Sequence, residues 1–198
     1  MNLIFDFDGT LCESGPLTYD HLKHLNPDLP SWEEMRRYSS EEVVRLIGLG
    51  PIPLFLALFR ARREFRRSSG KINVVPGVKD AVSLLSKRHQ LFVCSSNSYK
   101  NIESYLRRHD MLHYFQHILS VPTVFGKKKH LRRWIDKSGL NLSDCVYVGD
   151  ETRDVVASQA IGLPVCAVAW GFNHQDTLGQ LRPNFLALCP GDLVKLFT

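Results

Sequence analysis

The sequence lacks any long run of uninterrupted apolar residues. A membrane-spanning helix needs about 20 of them, and the most apolar segment of the 198 residues, at positions 51–59, ends at Arg60. The first residues, Met1 to Phe5, also lack the positive segment with which a secretory leader begins. We therefore expect no membrane span and a cytoplasmic location.

Cysteine is scarce, and its spacing carries no recognisable pattern. The five cysteines are odd in number and include no C-x-x-C pair, which is the spacing typical of zinc ligands and redox motifs. The sequence has no internal repeat and no low-complexity tract. These absences argue against a disulfide framework, a zinc site and a solenoid, and they leave a globular protein with one main core.

Acidic residues are outnumbered, and the net charge of +5 favours an acidic partner. Both a phosphorylated metabolite and a nucleic acid fit that charge. Five arginines lie between positions 60 and 67, most simply as the solvated side of a helix, or as a surface that attracts an anionic substrate. Because few aromatic residues lie among them, nucleic acid is the less favoured partner.

Short apolar runs predict the strands of a parallel sheet. Runs without polar alternation are typical of strands that are covered on both faces, and they occur at Leu3–Phe5, Leu91–Cys94, Ile118–Val121, Cys145–Val148 and Pro164–Val168. Helical patterns lie between and after them at Val78–Arg88, Asn101–His109, Lys128–Lys137, Thr152–Ile161 and Asp192–Phe197. This alternation predicts an α/β fold with a doubly wound parallel sheet.

One segment breaks the alternation. Residues 15–73 offer only helical patterns, at Thr18–Leu25, Ser31–Tyr38, Glu41–Ile47 and Ile52–Arg67. They predict a small all-helical insertion after the first strand, with residues 1–14 and 74–198 forming the α/β core. Pro76 and Gly77 mark the return of the chain to that core.

Polar residues follow three of the predicted strands directly: Asp6, Ser95 and the pair Gly149-Asp150. In doubly wound sheets the ligand lies beyond the carboxyl ends of the strands, where these residues converge. Confined carboxylates repel one another unless a cation holds them. Mg²⁺ prefers such hard oxygen ligands and often shares them with a substrate phosphate. The sequence therefore predicts a Mg²⁺ site that includes Asp6 and Asp150.

The motifs resemble those of the haloacid dehalogenase superfamily, most of whose members are phosphatases. Asp6-Phe7-Asp8-Gly9-Thr10 is similar to its first motif, and an apolar strand ending in Ser, Val93 to Asn97, is similar to the second. Lys127 resembles the third, and Gly149 to Asp154 resembles the fourth, G-D-x-x-x-D. The resemblance spans essentially the whole chain. It implies a Rossmann-like core with a helical cap, as in phosphoglycolate-phosphatase-like members.

The resemblance also implies roles for individual residues. Asp6 would attack phosphorus to form an aspartyl-phosphate, and Asp8 would protonate the leaving oxygen and later deprotonate a water. Ser96 and Lys127 would stabilise the transferring phosphoryl group. The implied substrate-binding residues are Gly9, Thr10, Ser96, Asn97 and Lys127. The implied Mg²⁺ ligands are Asp6, the main-chain carbonyl of Asp8, Asp150 and, through water, Asp154.

Several alternatives stay open at the level of sequence. Lys128 and Lys129 compete with Lys127, and Ser95 competes with Ser96 if the motif register shifts by one. The segment Trp170 to Asn173 reads as the edge of the crevice or a buried aromatic corner, without a catalytic role.

Asp8 favours a phosphate ester as the substrate, because dehalogenases and phosphonatases of the superfamily typically lack this second Asp. We expect hydrolysis of a small soluble phosphomonoester, such as phosphoglycolate or a sugar phosphate. A phosphoryl-transferring mutase is the nearest alternative, and a catalytically weak binding module of the same fold is a further one. The sequence does not indicate the oligomeric state.

Overall fold

The computed structural model describes residues 1–48, 60, 63–67, 70–121 and 127–198. Six parallel strands form one sheet in the order β3-β2-β1-β4-β5-β6. The strands are β1 Asn2–Phe5, β2 Gln90–Ser95, β3 Phe115–Ser120, β4 Cys145–Gly149, β5 Val165–Val168 and β6 Phe185–Ala187. The predicted α/β fold with a parallel sheet is confirmed.

Nine α-helices are bounded within the described ranges. Those of the insertion are α1 Gly15–Leu25, α2 Trp32–Met35 and α3 Ser40–Ile47. Those of the core are α4 Val78–Leu85, α5 Tyr99–Arg108, α6 Lys127–Lys137, α7 Thr152–Gln159, α8 Gln175–Gln180 and α9 Pro190–Phe197. Within those ranges, every helix is too short or too polar to cross a lipid bilayer.

Helices cover both faces of the sheet. On one face, side chains such as Leu3 and Val93 pack in one cluster with buried residues of α4, α5 and α9. On the other face, Ile4 and Tyr147 pack in a second cluster with buried residues of α6, α7 and α8. Because successive strand residues point to opposite faces and both faces are covered, the central strands β1, β4 and β5 are almost entirely apolar. The sheet is therefore doubly wound, as predicted.

The sheet changes direction at β1 and β4, which are neighbours in space although far apart in sequence. Phe5 lies opposite Val148, and the pairing continues beyond β1 because Asp6 N–H donates to Val148 O at 2.7 Å. The chain leaves β1 toward β2 and β3 on one side and later returns to β4, β5 and β6 on the other. Ligands of such sheets bind at this switch point.

The insertion leaves and re-enters the core along one seam. Glu13 N–H donates to Asn73 O at 2.9 Å and Val75 N–H donates to Leu11 O at 3.2 Å, while Cys12 forms an antiparallel bridge with Val74. The outgoing and returning chains therefore lie side by side, close to the predicted boundaries at residues 14 and 74.

The predicted helix Ser31–Tyr38 is wrong in length, because the observed helix is Trp32–Met35. The carbonyls of Arg36 and Tyr38 instead accept hydrogen bonds from the loop after β5, so contact with the core replaces the last helical turn. The predicted helix Ile52–Arg67 lies largely outside the described residues, although residues 63–67 are helical. The sequence analysis also missed α8 and β6.

Candidate active site

Asp6 lies at the carboxyl end of β1, where the chain turns away from the sheet. Its Oδ1 accepts the N–H of Phe7 at 2.7 Å, and Phe7 O accepts N–H groups of Leu11 and Cys12. Gly9 has a φ of +76°, a conformation that side chains disfavour. This tight turn keeps Asp6 at the switch point, where its side chain is 2% exposed.

Three carboxylates from two loops meet at this point. Asp6 follows β1, Asp150 follows β4, and Asp154 lies in the first turn of α7. Their ligand oxygens lie within 4.8 Å of one another, and all three residues are buried. The loop after β4 is short, so α7 begins near the sheet and brings Asp154 beside the other two.

Lys127, the first residue of α6, joins two of these carboxylates. Its Nζ lies 2.8 Å from Asp6 Oδ2 and 2.7 Å from Asp154 Oδ1, and it lies 5.2 Å from the centre of the Tyr147 ring. Lys127 is buried, whereas Lys128 and Lys129 are exposed. The structure therefore brings only the first of the three candidate lysines to Asp6.

The electrostatics of the group follow from this crowding. Burial raises the pKa of Asp6 to about 7, although the charge of Lys127 opposes the rise. Burial and the neighbouring charges of Glu151 and Asp6 raise the pKa of Asp150 well above its usual range. Burial alone would lower the pKa of Lys127, but the charges of Asp154 and Asp6 outweigh it and raise that pKa. Negative charge at the site is thus undercompensated by the protein.

The donor set fits a divalent cation. Three buried carboxyl groups face the ammonium of Lys127, and their burial and mutual repulsion disfavour the ionisation of all three unless a further cation is bound. Carboxylate oxygens are the hard ligands that Mg²⁺ prefers. Among the described residues, the Asp8 carboxylate is not part of this group. The expected contribution of the Asp8 main-chain carbonyl to the Mg²⁺ site stays a prediction.

Asp150 is held from several sides. Thr10 Oγ1 donates to Asp150 Oδ1 at 2.7 Å and Phe172 N–H donates to Asp150 Oδ2 at 2.7 Å. Glycines fill the remaining space: a Cβ on Gly9 would lie 2.1 Å from Asp150 Oδ2, and one on Gly171 would lie 2.3 Å from Asp150 Cβ. Only the absence of a side chain at these two positions lets the loops close around Asp150.

The loop after β5 lies at the site, one of the two places that the sequence left open for it, but its support of Asp150 was not predicted. Besides the Phe172 N–H, Asn173 N–H donates to Asp150 O at 3.1 Å, and Asn173 Oδ1 accepts Thr152 N–H at 2.8 Å. Trp170 Nε1 donates to Thr10 O at 3.1 Å. The segment therefore supports Asp150 by main-chain contacts. The sequence signal for this role was a glycine flanked by two aromatic residues, just after a predicted strand.

Asp8 is held apart from the carboxylate group. Asn97 Nδ2 donates to Asp8 Oδ1 and Oδ2 at 3.3 and 3.1 Å. Burial raises the pKa of Asp8, and the hydrogen bonds from Asn97 and Ser14 oppose that rise. Ser95 is buried, and its Oγ accepts Asn97 N–H at 3.1 Å, whereas Ser96 is half-buried at the tip of β2. Ser95 is thus engaged within the protein, and Ser96 is the more exposed of the two serines.

The insertion is bonded to the same loops. Ser40 N–H donates to Thr152 Oγ1 at 2.8 Å and Ser40 Oγ donates to Glu151 Oε2 at 3.0 Å. An Arg36 guanidinium nitrogen donates to Ala169 O at 2.8 Å. These partners flank Asp150 and Asp154 on one side and Gly171 on the other.

Four of the five arginines between positions 60 and 67 lie within the described residues, and all four are on the surface. Arg60, Arg63, Arg66 and Arg67 are exposed, and Arg62 lies outside the described residues. Between them, Phe65 is 4% exposed and packs edge-on against Phe7 at 5.6 Å between ring centres. The apolar side of this stretch therefore faces the turn that follows Asp6.

Comparison with known proteins places these features in context. Residues 3–168 match the sequence profile of the family described as haloacid dehalogenase-like hydrolase. A curated relative is the phosphoglycolate phosphatase of Synechococcus elongatus. It is 33% identical over an alignment that covers 99% of this chain and 96% of the relative. Pyrophosphatase PpaX of Bacillus pumilus is 24% identical, with 98% of this chain and 94% of that protein covered.

A solved structure has the same fold. A predicted phosphatase of Clostridium acetobutylicum superposes with a TM-score of 0.82 at 19% identity, and the match covers 98% of this chain and 96% of that chain. The similarity therefore includes the insertion as well as the α/β core.

Proposed function

The chain belongs to the haloacid dehalogenase-like hydrolase family and is a phosphohydrolase of that family, and on this premise we propose that it hydrolyses a small phosphomonoester with Mg²⁺ as its cofactor. Phosphoglycolate is the first candidate substrate, because the Synechococcus elongatus relative bears the name phosphoglycolate phosphatase. Asp6 is the proposed nucleophile, and Asp8 is the proposed acid and base.

The observation that carries the proposal is the separation of two kinds of carboxylate. Asp6 lies within the buried group with Asp150 and Asp154 and contacts Lys127, an environment that suits an ionised nucleophile beside a cation. Asp8 lies two residues on, outside that group, with a raised pKa and an amide donor. Burial raises the pKa of both carboxyls, so the difference lies in their partners: Asp6 contacts an ammonium, whereas Asp8 contacts a neutral amide and can carry the proton that a general acid must give.

The residues would act in two steps. An oxygen of Asp6 attacks phosphorus, the bond between phosphorus and the ester oxygen breaks, and the leaving oxygen takes the proton of Asp8. Water then attacks the phosphorus of the aspartyl-phosphate and gives a proton to Asp8, which restores both carboxyl groups and releases phosphate. Lys127 would stabilise negative charge on Asp6 and on the transferring group.

Asp6, Asp150 and Asp154 would hold the cation, Asp154 directly or through water. When bound, Mg²⁺ offsets the charge of the phosphoryl oxygens and of the carboxylates. Thr10, Phe172 and Asn173 hold Asp150 in place for that contact. Thr10 Oγ1 already donates to Asp150, so any contact of its hydroxyl with substrate would have to be shared with that bond.

Phosphate release from a panel of phosphoglycolate, sugar phosphates and pyrophosphate, with and without Mg²⁺, tests the proposal. We expect Mg²⁺-dependent release by the wild type and a loss of more than about a thousandfold in Asp6→Asn. Asp136→Asn, the same change at an exposed residue of α6, is the matched control and should retain activity.

The outcomes separate the alternatives. No Mg²⁺-dependent release from any substrate, or equal activity of Asp6→Asn and wild type, would refute the proposal. Release from pyrophosphate alone would change the substrate class, and an isomerised sugar phosphate in place of free phosphate would identify a mutase.

A further inference from the structure

The side chain of Asn97 has a fixed orientation. Its Nδ2 donates to both carboxylate oxygens of Asp8, while its Oδ1 accepts Ser98 N–H at 2.8 Å and Asn101 Nδ2 at 2.9 Å. A flipped amide would point its NH₂ at the Ser98 N–H, which can only donate, and its oxygen at the Asp8 carboxylate. The hydrogen-bond chemistry therefore permits only one arrangement.

The main chain of Asn97 is fixed as well. Its N–H donates to Ser95 Oγ at 3.1 Å, and its carbonyl accepts Ser120 Oγ at 2.7 Å. Asn97 and Asn101 are 4% and 3% exposed. A buried polar side chain that is already fixed by hydrogen bonds has little conformational entropy left to lose when it orients a neighbouring group. Asn97 is thus a rigid support that touches the proposed acid.

From these contacts we propose that Asn97, held in turn by Asn101, is a positioning residue that aims the Asp8 carboxyl at the leaving oxygen. The inference rests on the proposed function and deepens it. It also changes the expected role of Asn97, which the family resemblance assigned to substrate binding. Both acceptor positions of Asn97 Oδ1 are occupied, and its Nδ2 faces Asp8 rather than a ligand.

The chemistry of the amide explains why it suits this task. An N–H group can only donate, so it can bond to the carbonyl oxygen of protonated Asp8 but cannot accept the acid proton. That proton remains available for the leaving oxygen. After the transfer, the same N–H stabilises the carboxylate until a water returns the proton.

The test compares two substrates that differ mainly in leaving-group basicity, phenyl phosphate and 4-nitrophenyl phosphate. A poor leaving group needs protonation, whereas nitrophenolate leaves with little help. We expect Asn97→Ala to lower kcat for phenyl phosphate about tenfold more than kcat for 4-nitrophenyl phosphate, a part of the full contribution of a general acid. Asp8→Asn sets the upper limit of that ratio.

A second variant keeps the test decisive if Asn97→Ala does not fold. Asn101→Ala retains Asn97 and replaces a helical residue with a strong helix former, and it should shift the same ratio by a smaller factor. Asn141→Ala, the same change at an exposed residue outside this network, is the matched control. We expect Asn141→Ala to keep the wild-type ratio.

Equal loss on both substrates in Asn97→Ala and in Asn101→Ala would overturn the positioning role while leaving the proposed function intact. Loss confined to KM would reassign Asn97 to substrate binding and would also overturn it. If the wild type hydrolysed a substrate of the panel but neither aryl ester, kcat on that substrate would decide, and wild-type kcat in Asn97→Ala would overturn the role. Only the absence of Mg²⁺-dependent release from every substrate would remove the proposed function, and the role of Asn97 with it.

Discussion

The α/β core and the helical insertion differ in what holds them together. Each face of the sheet carries a cluster of more than ten buried apolar side chains. Among the described residues, the cluster within the insertion has four, Leu29, Met35, Val43 and Ile47. Polar bonds to the loops after β4 and β5 supplement it. The insertion therefore depends on the core for its position, whereas the core is held by its own packing.

This difference has a functional side. The polar contacts of the insertion end on residues that flank the metal-ligand candidates, such as Thr152 and Asn173, so any movement of the insertion acts on the loops around Asp150. These polar contacts, made by Arg36, Tyr38 and Ser40 to the loops after β4 and β5, form the joint between insertion and core.

Of the changes that follow, the largest effect on activity is expected at Lys127. Lys127→Met removes the only cation that contacts Asp6 among the described residues, and we expect kcat/KM to fall by at least about a hundredfold. Lys128→Met, at an exposed neighbour, should stay within about twofold of the wild type. Steady-state kinetics measure both values of kcat/KM. Equal losses in the two variants would refute the assignment of Lys127 as the lysine that acts at Asp6.

Matched Ile→Ala changes measure the packing difference directly. Ile4 is 0% exposed in the central strand, and Ile47 is 6% exposed in the small cluster of the insertion. We expect Ile4→Ala to lower the free energy of unfolding by about 4 kcal/mol and Ile47→Ala by about 2 kcal/mol, because a thin cluster relaxes more readily around a lost side chain. Urea denaturation measures both free energies of unfolding, and equal losses would contradict the difference in packing between core and insertion.

Gly171→Ala tests how closely the loops pack at the joint. The new Cβ would lie 2.3 Å from Asp150 Cβ, so Asp150 must move, and we expect kcat/KM to fall about tenfold or more. Gly179→Ala is the control, since nothing lies within 4 Å of a Cβ there. It should keep full activity and gain up to about 1 kcal/mol of stability, because Ala favours the helix. Full activity in Gly171→Ala would contradict the close packing.

The smallest effect concerns the joint alone. Asn173→Ala removes the side-chain bonds to Tyr38 O and Thr152 N–H, and we expect amides of α1 to α3 to open more easily by about 1 kcal/mol. Hydrogen exchange measures this, with amides of β1 and β4 as the internal reference. Asn141→Ala, at an exposed position, is the control. Uniform loss of protection across core and insertion would show that the joint is not a separate unit.

The sequence predicted the features that depend on local pattern. Continuous apolar runs indicated buried parallel strands, and the residues that end two of them, Asp6 and Asp150, meet as expected because parallel strands share one carboxyl edge. The lysine could also have been chosen by pattern. Lys127, Leu131 and Ile135 are the buried residues of α6, and they lie four apart, on one helical face.

The features that the sequence did not reveal depend on contacts between distant segments. Asn173 bonds to residues 21 and 135 positions away in the chain, and no periodicity marks such a residue. The strand β6 has three residues at an edge of the sheet, two of them not fully buried, so it lacks the apolar run that identifies a central strand.

The seam between residues 11–13 and 73–75 has a consequence for how this protein changes over evolutionary time. Because the outgoing and returning chains are hydrogen-bonded to each other, the core is closed at that point whatever lies beyond it. Segments of other lengths can be exchanged there with little penalty, since loop-closure entropy grows slowly with length. New specificities can thus arise by substitution of one module, provided that the new module restores the contacts with the loops around Asp150.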